Sequence, residues 1–177
     1  MGKYVNMADI IAKTRRLGAS SGGAARAAAA DQALLRRPIE LLFFAYRDFT
    51  GIADRKLATI GFGRAHHRAL YFIGRAPGIT VGDLLDILRI TKQSLAPVLR
   101  EMVRARYIVQ RADAADRRRR RLFLTERGLG LERELTRRQS RLIAKAFAAA
   151  GADAARGFDA VLRRMVGARD RRRFFGQ

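Results

Sequence analysis

Five consecutive arginines at residues 117–121 form the most distinctive chemical feature of the sequence. Guanidinium groups bind phosphate and guanine edges through paired hydrogen bonds, and they enter narrow minor grooves more readily than lysine does. A turn-favouring segment, Ala-Asp-Ala-Ala-Asp at residues 112–116, precedes the arginines, and β-favouring residues lie on both sides of this loop. The pattern predicts a charged loop between two strands, which either contacts nucleic acid or is simply solvated.

A second set of polar side chains occupies the start of a predicted helix that Thr91 caps. Lysine and glutamine reach base edges in the major groove, serine reaches a base or a phosphate, and arginines further along a helix suit the DNA backbone. The alternative is a polar face that only meets solvent. The exposed positions predicted near the helix start are Lys92, Gln93, Ser94 and Ala96, and the backbone-contacting positions are Arg100 and Arg104.

The overall composition also favours a polyanionic partner. The 177-residue chain has 37 basic and 16 acidic side chains, which gives a net charge of +21. Such an excess suits nucleic acid or an anionic membrane surface. Most of the basic residues are arginines, which indicates either selection for phosphate binding or a genome biased toward arginine codons. The positive charge is concentrated in residues 89–121 and 133–177, whereas residues 38–88 are nearly neutral.

The same composition excludes several classes of chemistry. The chain has no cysteine, so it cannot use a disulfide, a thiol nucleophile or a cysteine-based zinc finger. Its only histidines, His66 and His67, are adjacent and point in different directions on a helix, so we expect no metal site. Because no catalytic constellation, nucleotide-binding loop or membrane-length apolar run is present, we expect no enzyme activity, no cofactor and no membrane partner. The N-terminus lacks the apolar core of a secretory signal, which favours a cytoplasmic location.

The spacing of apolar residues predicts the first helix and what precedes it. Apolar side chains recur three and four residues apart from Pro38 to about residue 60, and proline suits the first position of a helix. This helix is apolar on several sides, which is typical of a subunit interface. Residues 18–33 are rich in glycine, serine and alanine, so we expect residues 1–37 to form a flexible basic arm and linker.

The predicted helices and strands after residue 60 position these polar side chains. Two short helices, at about 80–88 and 91–106, predict a helix-turn-helix, and two β-rich runs after them predict a hairpin. A long helix from about residue 125 ends at Gly151, and a last amphipathic helix precedes a basic tail at residues 168–177. The predicted fold class is therefore mainly α with a small β-hairpin wing (α+β): a winged helix-turn-helix with a helical dimerisation region.

The wing resembles that of the MarR family of bacterial transcriptional regulators. The family pattern is an arginine, then Asp-x-Arg, then Leu-Thr-x-x-Gly after a short strand. It stands here as Arg111, as Asp-Arg-Arg at residues 116–118, and as Leu-Thr-Glu-Arg-Gly at residues 124–128. The resemblance covers residues 38–167 and is closest to the PetP-like branch, as the segments LLFFAYRDF and GFGRAHHRALYFI illustrate.

This resemblance implies a homodimer that binds double-stranded DNA. The dimer base would come from helices at about 38–60 and 129–167, beneath winged-helix lobes at about 64–128. A short third strand at Gly78-Ile79 would join the wing hairpin. The dimer-interface residues expected on this basis are Leu42, Phe43, Tyr46, Phe147, Phe158 and Leu162.

The resemblance also assigns roles within the wing. Arg118 matches the family position that enters the minor groove, and Asp116 would hold that arginine by an ion pair without touching DNA. The remaining wing arginines would meet phosphate. Pro97 departs from many relatives, which place a basic residue there, so one base contact is missing. The wing residues expected to form the DNA-binding site, by contact or, for Asp116, by support, are Arg111, Asp116, Arg117, Arg118, Arg119 and Arg120.

A small-molecule effector is a further implication of the resemblance. In the family, inducers bind between the dimer base and the DNA-binding lobe, partly against the second helix. Tyr46, Arg64 and His66 are the candidate effector contacts here. The simpler interpretation makes the histidines interface or helix-capping residues.

Two functions from different classes fit these patterns. A dimeric sequence-specific regulator would use the helix-turn-helix and the wing, whereas a non-specific architectural or RNA-coating protein would use charge alone. Both would lose affinity steeply as salt increases, so only the protection of discrete DNA sites separates them.

Overall fold

The computed structural model of the chain describes residues 21–114, 116, 117 and 119–176, and for residues 21–31 and 33 it describes only the backbone. Within this part the chain forms seven helices and three strands. The helices are α1 (Ser21–Ala58), α2 (Arg64–Arg75), α3 (Val81–Leu88), α4 (Lys92–Arg104), α5 (Glu126–Ala150), α6 (Ala152–Met165) and α7 (Ala168–Phe175). The strands are β1 (Ile79–Thr80), β2 (Ile108–Ala112) and β3 (Arg120–Leu124). The predicted fold class, mainly helical with a small β wing, is confirmed.

Helix α1 begins much earlier than the sequence predicted. It starts at Ser21 instead of Pro38, so the expected linker is helical over its described residues. The reason is the alanine-rich run at residues 24–30, because alanine has the highest helix propensity. Pro38 lies inside the helix, where it cannot donate a hydrogen bond to the carbonyl of Leu34. Residues 1–20 of the expected arm lie outside the described residues.

The chain divides into two compact units at Asp48 and Phe49, within α1. The described part of the first unit is helical and presents apolar side chains to solvent. Ile39 and Phe43 are 67% and 63% exposed, and Phe43 meets Phe44 edge to face at 5.4 Å. This unit therefore has an apolar surface that its own residues leave uncovered.

The second unit, from Phe49 onward, contains the hydrophobic core. Leu84 and Leu88 of α3 and Leu95 and Met102 of α4, which recur at helical spacing, are all at most 2% exposed. The large, fully buried side chains of the core are Leu57, Leu70, Ile73, Leu84, Leu95, Met102, Ile108, Leu122 and Leu135.

The three strands form an antiparallel sheet in the order β1-β3-β2. Ile79 pairs with Leu122 of β3, and Ile108 of β2 pairs with Leu124. The short third strand expected at Gly78-Ile79 is thus found one residue later. Gly78 has a φ of +83° and donates its amide to the Leu122 carbonyl at 2.8 Å, so the turn into β1 needs a residue that tolerates the left-handed region.

The Leu-Thr-x-x-Gly segment joins the wing to α5. Thr125 caps α5 by accepting the Gly128 amide at 3.1 Å, and its hydroxyl donates to the Arg106 carbonyl at 2.7 Å. A Cβ on Gly128 would lie 2.1 Å from the Tyr107 carbonyl oxygen, a backbone atom that cannot move aside cheaply. Glycine is therefore required where α5 crosses the start of β2.

The C-terminal segment differs from the expected basic tail. Residues from Ala168 to Phe175 form helix α7, whose arginines pair with carboxylates on α3. The partners Arg169 and Asp86 are separated by 83 residues in the sequence, so local patterns do not reveal the pairing. Among the described residues no helix is both long and apolar enough to cross a membrane.

Candidate nucleic-acid interface

Two threonines and a left-handed arginine define the helix-turn-helix. The Asp83 amide donates to Thr80 Oγ1 at 3.1 Å at the start of α3, and the Ser94 amide donates to Thr91 Oγ1 at 3.2 Å at the start of α4. Arg89 ends α3 with φ 51° and ψ 48°, which reverses the chain within two residues. The predicted cap at Thr91 is confirmed and marks the start of α4, and Thr80 caps α3 in the same way.

The packing of α4 separates its faces. Leu95, Val98, Leu99 and Met102 are buried, which turns the intervening positions outward. Ala96 is the exception among the predicted contacts, because it is half-buried beside the core positions. The predicted contacts that are exposed are Lys92, Gln93, Ser94, Arg100 and Arg104.

Two residues near the start of α4 have restricted chemistry. The hydroxyl of Ser94 lies 3.0 Å from that of Thr91, so this side chain is partly engaged in the helix cap. Pro97 is exposed on the helix and has no amide hydrogen to donate to the Gln93 carbonyl. In the first turns of α4, Lys92 and Gln93 are therefore the long polar side chains whose ends make no hydrogen bond with the described residues.

An ion pair between a buried aspartate and an exposed arginine orders the base of the wing. Arg121 Nε donates to Asp113 Oδ2 at 2.6 Å, and Asp113 is only 4% exposed. Arg121 Nη1 also donates to the Gly78 carbonyl at 3.2 Å, which ties β3 to the turn before β1. The sequence interpretation missed this pair, although Asp113 is the other acid of the predicted loop and Arg121 ends the arginine run.

The predicted wing contacts are arranged around this base. Arg111 stacks its guanidinium 5.1 Å from the centre of the Phe123 ring, a cation–π contact that holds it against β3. The Arg119 amide donates to the Asp116 carbonyl at 2.9 Å and so forms the loop turn. Arg117, Arg119 and Arg120 are exposed. Arg118 lies outside the described residues, and with it the expected Asp116–Arg118 pair.

His66 has a capping and packing role. The Gly63 amide donates to His66 Nδ1 at 3.2 Å, so Nε2 carries the proton that it shares with Glu101 Oε2 at 2.8 Å. The ring stacks on Phe62 at 4.3 Å and is 9% exposed. This geometry matches the helix-capping interpretation, and it also connects α2 to α4 through Glu101.

The other two candidate effector contacts lie in different units. Arg64 Nε donates to Asp54 Oδ2 at 2.8 Å within the second unit. Tyr46 is 56% exposed in the first unit. Among the described residues no group of three or more histidines and carboxylates is placed to hold a metal ion.

Comparison with known proteins gives a consistent result. The MarR family profile matches residues 60–119, which include the helix-turn-helix and most of the wing. The chain is 46% identical over 140 residues to the HTH-type transcriptional regulator PetP of Rhodobacter capsulatus, an alignment that covers 79% of this chain and 84% of PetP.

Solved structures share the fold. A MarR transcriptional regulator from Methanosarcina mazei Go1 is 26% identical with a TM-score of 0.63, covering 73% of this chain and 94% of that one. Streptococcus pneumoniae FabT, solved in complex with DNA, is 20% identical with a TM-score of 0.67, covering 73% and 93%. Together with the 46% identity to PetP, the winged helix-turn-helix described above establishes that the chain belongs to the MarR family.

Proposed function

We propose that this chain controls transcription by binding, as a homodimer, a roughly palindromic DNA site through α4 and the wing. A DNA-binding transcriptional regulator is the kind of protein that its family membership implies. The observation that carries the proposal is the two-faced packing of α4. Its apolar face is buried in the core, and its polar face is exposed, with Arg100 and Arg104 lining the same surface depression as Val109 and Gln110 of the wing strand β2.

Each exposed group on α4 receives a role from its chemistry. Lys92 and Gln93 reach base edges in the major groove, since both are exposed near the helix start. Ser94 contacts phosphate beside the helix N-terminus, and the half-buried methyl group of Ala96 faces the methyl group of a thymine. Arg100 and Arg104, further along the helix, bind the DNA backbone.

The wing supplies the minor-groove contact. Arg118 enters the groove, and Arg117, Arg119 and Arg120 bind the phosphates on either side. The Asp113–Arg121 ion pair keeps the base of the wing rigid, which lowers the entropy that the loop loses on binding. Arg111 of β2 stabilises the wing by stacking on Phe123 of β3.

The homodimer is proposed because each unit by itself exposes a large apolar surface. In the first unit, Leu42, Phe43 and Tyr46 are between 46% and 63% exposed. In the second unit, the half-buried Phe147 packs edge to face on Phe158 at 5.5 Å, and Phe158 remains 48% exposed. Leu162, four residues after Phe158 on the same helix, is half-buried. Soluble monomers rarely leave apolar patches of this extent uncovered, and a second copy would cover them.

Two finer parts of the proposal follow from the family. A small-molecule effector that contacts His66 has to displace the Gly63 amide or Glu101, because both ring nitrogens are engaged. Arg64 and Tyr46 remain candidate contacts. We place the protein in the cytoplasm, where bacterial DNA is located, and assign it no enzymatic role.

Selection of binding sites from random DNA, followed by footprinting, tests the proposal. We expect a discrete protected site with two half-sites about one helical turn apart, roughly 34–36 Å. Sedimentation of the free protein should give the mass of a dimer. Uniform protection without enrichment of any sequence would instead support the architectural function.

A further inference from the structure

Ion pairs between side chains join helix α7 to α3, the first helix of the helix-turn-helix. Arg169 Nη2 lies 2.5 Å from Asp86 Oδ2, and Arg173 Nη1 lies 3.1 Å from the same oxygen. The two arginines are one helical turn apart, so a single carboxylate holds one face of α7. At the end of α3, Arg89 Nη2 donates to Asp170 Oδ2 at 2.9 Å. The ion pairs therefore run along the length of the contact.

Contacts with two other helices fix the orientation of α7. The Phe174 ring lies 6.0 Å from the Phe72 ring of α2. On the other side, Arg171 Nη1 donates to the Arg163 carbonyl of α6 at 3.3 Å. Because α7 contacts α2, α3 and α6, its orientation is fixed, and the face that makes none of these contacts is exposed.

The C-terminal end of α7 lies beside the base of the wing. Arg173 Nη2 is 3.4 Å from Asp83 Oδ1, and Asp83 accepts a hydrogen bond from Thr80 Oγ1 at 2.6 Å. Thr80 in turn pairs with Arg121 of β3. This series of contacts connects α7 to the wing strand that begins with the exposed wing arginines.

The charges of α3 and α7 are complementary. Within α3 the charged residues are Asp83 and Asp86, which on their own would repel a phosphate backbone beside the wing. Helix α7 brings Arg169, Arg172 and Arg173 together with Asp170 to this surface, whereas Arg171 turns toward α6. Arg172 is exposed and makes no hydrogen bond or ion pair with any residue that the structure describes. Docking of α7 therefore converts an acidic surface into a basic one that continues the wing.

We propose that α7 is a third DNA-contacting element, which screens Asp83 and Asp86 and places Arg172 against the phosphates next to those bound by the wing. This inference rests on the proposed binding of DNA by α4 and the wing. DNA is the partner that fits, because its phosphates continue past the wing and attract an adjacent basic surface without regard to sequence.

The salt dependence of binding to a random-sequence DNA duplex of about 40 base pairs tests this role. In the full-length chain, Arg172→Ala should reduce the slope of log K against log salt by about 0.9 for each subunit, or about 1.8 for the bound dimer, and weaken binding several-fold at about 0.1 M salt. Arg164→Ala on α6 is the control, since it removes the same charge from another exposed position and should leave the slope unchanged. Equal slopes for Arg172→Ala and the parent chain would overturn the proposal. Failure of the parent chain to bind the duplex would instead contradict the proposed function.

A second experiment isolates the screening of α3. Deletion of residues 168–177 should weaken DNA binding more than Arg172→Ala does, because it also uncovers Asp83 and Asp86. Asp83→Asn combined with Asp86→Asn should then restore more affinity in the shortened chain than in the full-length chain. Circular dichroism and thermal unfolding check that each variant folds. Equal gains in both chains would refute screening by α7.

Discussion

The carboxylate of Asp113 is buried under the wing and accepts a 2.6 Å hydrogen bond from Nε of Arg121. A second pair, Asp159 and Arg163 on α6, joins the same atoms at the same 2.6 Å but leaves the aspartate side chain 61% exposed, against 5% for Asp113. The two aspartates differ in burial while the atoms and the distance of the pairs match, so a comparison of the two carboxylates tests the effect of burial.

Asp113→Ala should destabilise the protein and weaken DNA binding. Loss of the buried partner of Arg121 removes a charge-assisted hydrogen bond worth about 1.5–3 kcal/mol and loosens the base of the wing. Asp159→Ala, the matched control, should cost less than about 0.5 kcal/mol because solvent screens the exposed pair. Urea unfolding at equal protein concentration measures both effects. A similar loss of stability in the two variants would show that the burial of Asp113 does not strengthen its contribution to stability.

Gly128→Ala should destabilise the protein by about 1–3 kcal/mol or more, because the new Cβ meets the Tyr107 backbone carbonyl. Gly130→Ala, two residues further along the same helix, is the control. A Cβ at that position has no atom within 4 Å, and alanine favours the helix by up to about 1 kcal/mol. Thermal unfolding should therefore move in opposite directions for the two variants. A melting temperature for Gly128→Ala at or above that of the parent would contradict the close approach of α5 to Tyr107.

Gln93→Ala should change which DNA sequence is preferred, because an exposed glutamine near the start of α4 contacts a base edge in our proposal. Arg118→Ala should instead weaken binding to all sequences by several-fold without unfolding the dimer. Competition binding against single-base variants of a selected site, at fixed salt, distinguishes the two effects. An unchanged preference would remove Gln93 as a base reader, and an unchanged affinity would remove Arg118 from the interface.

His67 makes stability depend on pH. Burial lowers the pKa of His67 below its usual 6.5, although the carboxylates of Asp54 and Glu132 oppose this shift. The unfolded chain therefore binds a proton more readily, so the contribution of His67 to stability is complete above about pH 6.5 and is lost as the pH falls below it. His67→Gln should reduce the loss of stability between pH 7.5 and 5.5, as measured by urea unfolding. An equal loss in both proteins would exclude His67 as a source of the pH dependence.

Periodic patterns in the sequence predicted the helix-turn-helix in detail. Thr80 and Thr91 cap the two helices, and the inward leucines follow the spacing that the sequence displays. These features depend on residues within one or two helical turns of each other, so local chemistry determines them. The predicted start of α1 at Pro38 was wrong, because the alanines before the proline favour a helix and extend it back to Ser21.

Contacts between distant segments could not be read from the sequence. No local pattern indicated that Arg121 pairs with Asp113, whose carboxylate the fold buries, and the expected Asp116–Arg118 pair lies outside the described residues. The charged tail became helix α7 because Asp83 and Asp86, more than 80 residues earlier, face it across the fold. Aspartates and arginines occur at several positions in these segments, so only the three-dimensional arrangement determines which of them pair.

The two hydrogen bonds of the His66 ring connect the turn before α2 to helix α4. One imidazole accepts the amide of Gly63, at the junction between α1 and α2, and contacts Glu101 on the helix proposed to read DNA. Because both hydrogen bonds use one ring, a shift of the Gly63 amide that keeps them intact would also have to move Glu101. The carboxylate of Glu101 is thereby held in place by a residue that lies outside the helix-turn-helix.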